Sequence, residues 1–253
     1  MEPKGSFAYI LIDFDNFFDI YNDIERLTNE VDFICRELFT KIGDIDPINY
    51  ISLRLYGGWF KNSFLTQRGS EVSSIIRQIQ NIFPIVKNRK IIRGEIELAV
   101  SLIYFPEHQL DNTLKEKKGL PKARIAKNLD LTICEANKPN CPVKILNRFT
   151  SNKSCQITGC AHTNTTAFSA PQQKMVDTLI TADIISISLK EETNSIYIFS
   201  EDIDCVPGIL LASKINKERQ SKINLVVSYQ RKGAFNQFLE IFNTNNIQLI
   251  QWI

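Results

Sequence analysis

Glycine and proline are scarce in this chain, 10 and 9 of 253 residues, which excludes a collagen repeat and a turn-rich low-complexity polymer. Long apolar runs are missing too. The most extended uncharged one, Leu98 to Pro106, falls well short of the ~18–20 residues that cross a bilayer, so no membrane partner is expected. The amino terminus lacks the basic-then-apolar pattern of an export signal. Without that signal, and in a chain of this size, the six cysteines are expected to be reduced thiols in the cytoplasm and not a disulfide framework. What is present suits a globular protein: 43% hydrophobic and 23% charged residues are enough to bury the core of a single large domain over 1–253.

Charge is unevenly placed. The net charge is only +2, yet Lys115 to Lys153 holds ten Lys or Arg against three acids, so a basic middle segment is carried by an acidic body.

The apolar run Phe7 to Asp13 reads as a buried strand ended by an acid. Phe17, Ile20, Ile24, Leu27, Val31, Ile34 and Leu38 recur at helical spacing and predict a helix over Phe17 to Thr40. A strand from Ile51 to Phe60, a helix from Val72 to Phe83 and a strand from Ile96 to Phe105 follow. Periodicity then fails, and 106–168 reads as a basic, cysteine-bearing elaboration within the domain. Beyond it come a helix over Pro171 to Leu189, strand Ile196 to Phe199, helix Pro207 to Asn216, strand Ile223 to Val227, helix Phe235 to Phe242 and strand Ile247 to Ile250. Strands alternating with helices predict a three-layer α/β/α fold on a mainly parallel sheet. Sites in such sheets form at the carboxyl ends of the strands.

Acids gather at those ends. Asp13 and Asp15 follow the first strand, Glu201, Asp202 and Asp204 follow the strand at Ile196, and Asp177 lies early in the preceding helix. Converging carboxylates repel unless a divalent cation neutralises them, and hard oxygen ligands suit Mg²⁺ or Mn²⁺. The plainer reading is that each acid caps a helix or forms a turn.

Three short motifs occur in a set order: Ile-Asp-Phe-Asp-Asn at 12–16, Lys-Met-Val-Asp at 174–177 with Asp183 six residues on, and Ser-Glu-Asp-Ile-Asp at 200–204. Together they resemble the NYN domain family of PIN-like nucleases, over roughly residues 7–251. The resemblance implies a PIN-like α/β/α fold with Asp13 as the first metal ligand and Asn16 as a supporting polar group. It makes Asp177, Asp202 and Asp204 the further catalytic, metal-binding acids. Lys174 would meet substrate one turn before Asp177, and Asp183 would play a supporting or structural part. Glu201 stands where the family usually has Gly, Cys205 where an aromatic is common, and 106–168 is long. These departures bear on loop geometry and substrate more than on the metal. The implied activity is metal-assisted hydrolysis of phosphodiester bonds, chiefly in RNA. Such chemistry needs no histidine, and the chain has only His108 and His162.

Two other classes compete. Asp13-Phe14-Asp15 also resembles the first motif of haloacid-dehalogenase-type phosphatases, in which the first Asp is the nucleophile; here Asn16-Phe17-Phe18 follows where Thr or Val and then Leu are usual. A nuclease fold can also persist as a non-catalytic nucleic-acid-binding module.

Lys115, Lys117, Lys118, Lys122, Arg124 and Lys127 are spaced to track a phosphate backbone, with Lys117, Lys118 and Lys122 as the substrate-binding candidates and a solvated face as the alternative. Phe149 and Phe168 flank this region without an RNP-type motif, so no base readout is expected. Cys134, Cys141, Cys155, Cys160 and His162 suffice in number for a structural Zn²⁺, but their spacings match no paired-knuckle pattern, and small core residues are the plainer reading. Cys35 and Cys205 read as buried fillers. Trp59 and the tract Phe14, Phe17, Phe18 read as core more than cleft. A homo-oligomer is compatible with this composition.

Overall fold

The computed structural model describes residues 7–18, 28–29, 32–33, 36–37, 48–87, 90–125, 141–155, 157–190, 193–216, 222–228 and 232–252. Among them the strands are β1 Phe7–Asp13, β2 Tyr50–Tyr56, β3 Phe60–Lys61, β4 Phe64–Leu65, β5 Ile85–Lys87, β6 Lys90–Leu98, β7 Leu114–Lys118, β8 Ser169–Gln173, β9 Thr193–Phe199, β10 Lys222–Ser228 and β11 Ile247–Trp252. The helices are α1 Phe14–Phe17, α2 Gln67–Ile79, α3 Pro142–Thr150, α4 Asn164–Ala167, α5 Val176–Ser188, α6 Val206–Asn216 and α7 Leu239–Thr244. The chain divides into two compact units, Met1–Thr113 with Gln173–Ile253, and Leu114–Gln172.

The first unit is mixed α/β, built on a seven-stranded sheet in the order β11-β10-β9-β1-β2-β6-β5. Every pairing is parallel except the β5/β6 hairpin at one edge. Both faces of the sheet are covered, which is why its inner strands read as continuous apolar runs. Successive side chains of β1 alternate between two cores. Ile10 and Ile12 pack with Leu53, Leu55, Trp59, Phe199 and Val72, Ile75 and Ile79 of α2. Leu11 joins Tyr56, Ile198, Leu225 and the buried faces of α5 and α6. This arrangement is compatible with a three-layer α/β/α fold.

Several expected boundaries shift. The helix expected from Val72 begins at Gln67, because the Thr66 hydroxyl caps it by accepting from the Gly69 N–H at 3.0 Å, and it ends at Ile79. The strand at Ile51 stops at Tyr56, because Gly57 lets Trp59 fold back; a Cβ at Gly57 would lie 2.7 Å from the Trp59 ring. Trp59 is fully buried in the core and donates from Nε1 to the Leu55 carbonyl at 2.8 Å. The next central strand is β6 and not Ile96 to Phe105: its Arg93, Glu95 and Glu97 disguise a strand near the sheet edge, while the more apolar 99–105 leaves the sheet and packs Ala99, Leu102 and Ile103 on the second core. Pro171 lies in β8, so the helix expected from Pro171 begins only at Val176. The helix expected at Phe235 is a 3₁₀ segment, Lys232–Phe238, followed by α7.

The expected helix over Phe17 to Thr40 is described only in part. Residues 28, 29, 32, 33, 36 and 37 are helical, with Arg36 donating to Asp32 at 2.7 Å; the remainder lies outside the described residues. Phe14, Phe17 and Phe18 are core, Phe14 meeting Trp59 edge-on at 5.4 Å.

The second unit contains the β7/β8 ribbon, α3 and α4. Buried Asn164 ties it together, its side chain donating to the Leu120 carbonyl and accepting from the Leu120 N–H, each at 2.8 Å. Among the described residues, no helix is long and apolar enough to cross a membrane.

Candidate metal centre

Strand order reverses direction between β1 and β9: the chain builds outward through β2 and β6 on one side, then returns to lay β9, β10 and β11 on the other. A crevice outside the carboxyl ends of the strands is expected at such a switch point. Asp13 is the last residue of β1, and Ile12 stands opposite Phe199, the last residue of β9. The register therefore puts Asp13 beside Ser200.

Asp13 is buried, with 2% of its surface exposed. Its Oδ2 accepts from Asn16 Nδ2 at 2.7 Å and from the Ser200 hydroxyl at 3.4 Å. Its Oδ1 is buried without a hydrogen-bond partner. Burial pushes the carboxyl up to about 6 against the pull of the Asn16 bond, and the negative charges of Asp177 and Asp15 push the same way. A buried carboxylate oxygen lacking a donor is costly and is the kind of group a cation satisfies.

The loop after β9 supplies the second set of acids. Ser200 Oγ also accepts from the Asp202 N–H at 3.1 Å, and Asp202 Oδ1 caps the following 3₁₀ turn by accepting from the Asp204 N–H at 2.9 Å. Asp202 is thus a cap as well as a candidate ligand. Asn16, Glu201, Asp202, Ile203 and Ala234 line a depression of about 310 Å³ here.

Asp177 is exposed in the first turn of α5, where the helix dipole favours an acid. Partial desolvation by its surroundings raises its carboxyl, and Asp202 and Asp204 raise it further by repulsion. The charge of Asp177 thus acts on Asp13, and the charges of Asp202 and Asp204 act on Asp177. As placed, no three Asp, Glu, His or Cys side chains among the described residues form a group ready to hold a metal.

Lys174 is exposed but lies outside the helix, because Met175 takes a left-handed conformation (φ 65°) at the N-cap of α5. It does not stand one helical turn before Asp177. Its N–H donates to the Thr113 carbonyl at 2.8 Å.

Asp15 turns away to other partners. It pairs with Arg68 at 2.8 Å, accepts from Gln173 Nε2, and Arg68 lies over the Phe14 ring. Asp183 is fully buried and is clamped by Arg54 Nη1 at 2.5 Å, the Tyr56 hydroxyl at 2.7 Å and the Ile103 N–H at 2.9 Å. Arg54 in turn donates to the Ser101 carbonyl at 2.8 Å and stands 2.6 Å from Glu97. This clamp ties α5, which carries Asp177, to β2 and the 99–103 loop. Sequence reasoning misses Arg54, Tyr56, Arg68, Gln173 and Ser200; the visible signal is a lone arginine inside the apolar strand Ile51 to Tyr56, which demands a buried partner.

Lys117, Lys118 and Lys122 are exposed in the second unit, with Lys117 and Lys118 on opposite faces of β7. Lys127, Cys134 and Cys35 lie outside the described residues. Cys141 is buried at the start of α3, and the Cys155 N–H donates to the His162 carbonyl at 2.9 Å. The buried Cys205 thiol bonds the Asp202 carbonyl at 2.9 Å, and burial pushes it up to about 12, so it stays a neutral filler.

Compared with protein-family models, curated proteins and solved structures, the chain matches none.

Proposed function

We propose that this protein is a divalent-metal-dependent nuclease that hydrolyses phosphodiester bonds in RNA, with Mg²⁺ or Mn²⁺ at the end of β1. The observation that carries this reading is the buried Asp13 carboxylate, its Oδ1 without a donor, at the switch point of the sheet. The donor set fits a hard cation: Asp13, Asp177, Asp202 and Asp204 offer oxygen and no sulfur or nitrogen. A bound cation would supply Lewis-acid stabilisation of the phosphate and would make a water easier to deprotonate for attack on phosphorus. Asn16 and Ser200 hold Asp13 Oδ2 and so fix the carboxylate while its Oδ1 stays without a donor. Lys174, exposed before α5, contributes charge for the polyanion.

The runner-up is a haloacid-dehalogenase-type phosphatase with Asp13 as nucleophile; the other acid of Asp13-Phe14-Asp15, Asp15, is engaged by Arg68 and Gln173. The test is incubation of the purified protein with labelled single-stranded RNA, duplex RNA and DNA in Mg²⁺, Mn²⁺ or EDTA. Cleavage of RNA that requires the metal is the expected result. Release of phosphate from small monoesters with a trapped phospho-Asp13, and no polynucleotide cleavage, would establish the phosphatase instead.

A further inference from the structure

The second unit contains a depression of its own, about 450 Å³, lined by Glu116, Lys118, Thr165, Thr166, Phe168 and Ser169. That volume falls within the ~300–1,000 Å³ typical of small-ligand sites. One lining residue is an exposed aromatic. Phe168 is 43% exposed, and its orientation is fixed by Phe149, which meets it edge-on with centroids 5.5 Å apart and planes at 89°. The surrounding backbone joins the end of β7 to Phe168. Gly119 adopts φ +81°, donates its N–H to the Phe168 carbonyl at 2.7 Å, and approaches Asn164 so closely that a Cβ would lie 3.2 Å from it. Alternation along β7 then puts Glu116 and Lys118 on the side of the depression and Lys115 and Lys117 on the other. Ser169 Oγ donates to Glu116 at 2.5 Å, and the Thr165 and Thr166 hydroxyls complete a polar rim.

We propose that this depression takes one unpaired base of a single-stranded RNA, stacked on Phe168, with Lys118 on an adjoining phosphate. The proposal rests on the reading of RNA as substrate and deepens it to the single-stranded class. A paired base has no free face to offer a protein ring, whereas an unpaired one stacks on an aromatic irrespective of its identity. Sequence-tolerant stacking agrees with the lack of any RNP-type motif around Phe149 and Phe168. Charge favours the same occupant: Lys115 to Lys153 holds ten basic residues against three acids, the complement of a polyanion and not of an apolar peptide.

The experiment is equilibrium binding of a fluorescently labelled single-stranded RNA, and of the same RNA annealed to its complement, to the full-length protein in EDTA. Wild type is compared with Phe168→Ala, Phe168→Leu and Phe168→Trp. The expected result is binding to the single strand weakened about tenfold by Ala and by Leu but retained by Trp, with duplex binding unchanged. Leu keeps an apolar side chain without a ring face, so it separates stacking from mere packing. Equal loss for single strand and duplex, retention of binding by Ala and Leu, or no binding of the single strand by wild type overturns the proposal. Cleavage in Mn²⁺ by the same wild-type preparation reports the nuclease reading separately. Cleavage with unaltered binding by the Ala variant overturns the stacking site alone; Phe168-dependent binding without cleavage upholds the site and overturns the nuclease.

Discussion

Folding and the proposed chemistry pull on Asp13 in opposite directions. An unfolded chain releases its proton near the ordinary value of 3.8, while burial holds the native group at about 6. Between those values the native state binds more protons than the unfolded state, so this group makes stability fall as pH rises from about 4 to about 6. Its charged form costs on the order of 2–3 kcal/mol above that window. Asp13→Asn is therefore expected to raise stability at pH 8 in EDTA, by up to about 2 kcal/mol after allowance for the altered Asn16 and Ser200 bonds, and to flatten the slope between pH 4 and 6. Urea unfolding of both proteins across pH 4–8 checks it; a variant less stable at pH 8, with the slope intact, would show that the strain at Asp13 is not real.

At the scale of elements, the Arg54–Asp183 clamp sets where α5 lies on the sheet. Removing the guanidinium leaves a fully buried carboxylate supported, among the described residues, by Tyr56 and the Ile103 N–H. Arg54→Met is expected to destabilise the protein by about 3–5 kcal/mol, and the double change Arg54→Met with Asp183→Leu to recover much of that loss. Thermal unfolding of the two single variants and the double variant measures the coupling; simple additivity would contradict the clamp. Much of the sheet is legible in the sequence because its inner strands are buried on both faces, so β1, β9 and β10 appear as short apolar runs. The bounds of β6 are hidden for the converse reason: near the edge it alternates Arg93, Glu95 and Glu97 with apolar residues, and the stronger apolar signal after Leu98 belongs to a loop that fills the second core. Asp13, Asp177, Asp202 and Asp204 are legible as acids at element ends. The partners of Asp15 and Asp183 are not, since Arg68 and Arg54 lie far from them in the chain and only the tertiary packing brings them together.

For the molecule as a whole, the chain leaves the first unit at Thr113 and returns to it at Gln173, where the Lys174 N–H bonds the Thr113 carbonyl. The two ends are close enough for a short Gly-Ser linker to replace 114–172. The shortened protein is expected to unfold cooperatively and to keep metal-dependent cleavage while binding RNA more weakly; loss of cooperative unfolding would show that the first unit depends on the second. In the intact protein, Lys117→Ala with Lys118→Ala and Lys122→Ala is expected to weaken RNA binding and to reduce the salt slope by about 0.7 for each single-strand phosphate that these lysines no longer neutralise. An unchanged slope in a salt titration would return these lysines to an ordinary solvated surface. The central claim, that Asp13 and its neighbouring acids hold a cation that drives phosphodiester hydrolysis, is tested most directly by single-turnover cleavage of labelled single-stranded RNA by wild type and Asp13→Asn in Mn²⁺ and in EDTA. Cleavage by wild type in Mn²⁺ alone, with the variant slower by about a hundredfold or more though folded, is the result expected from loss of a metal ligand. Cleavage that persists in EDTA, or that proceeds at the wild-type rate in Asp13→Asn, would contradict it.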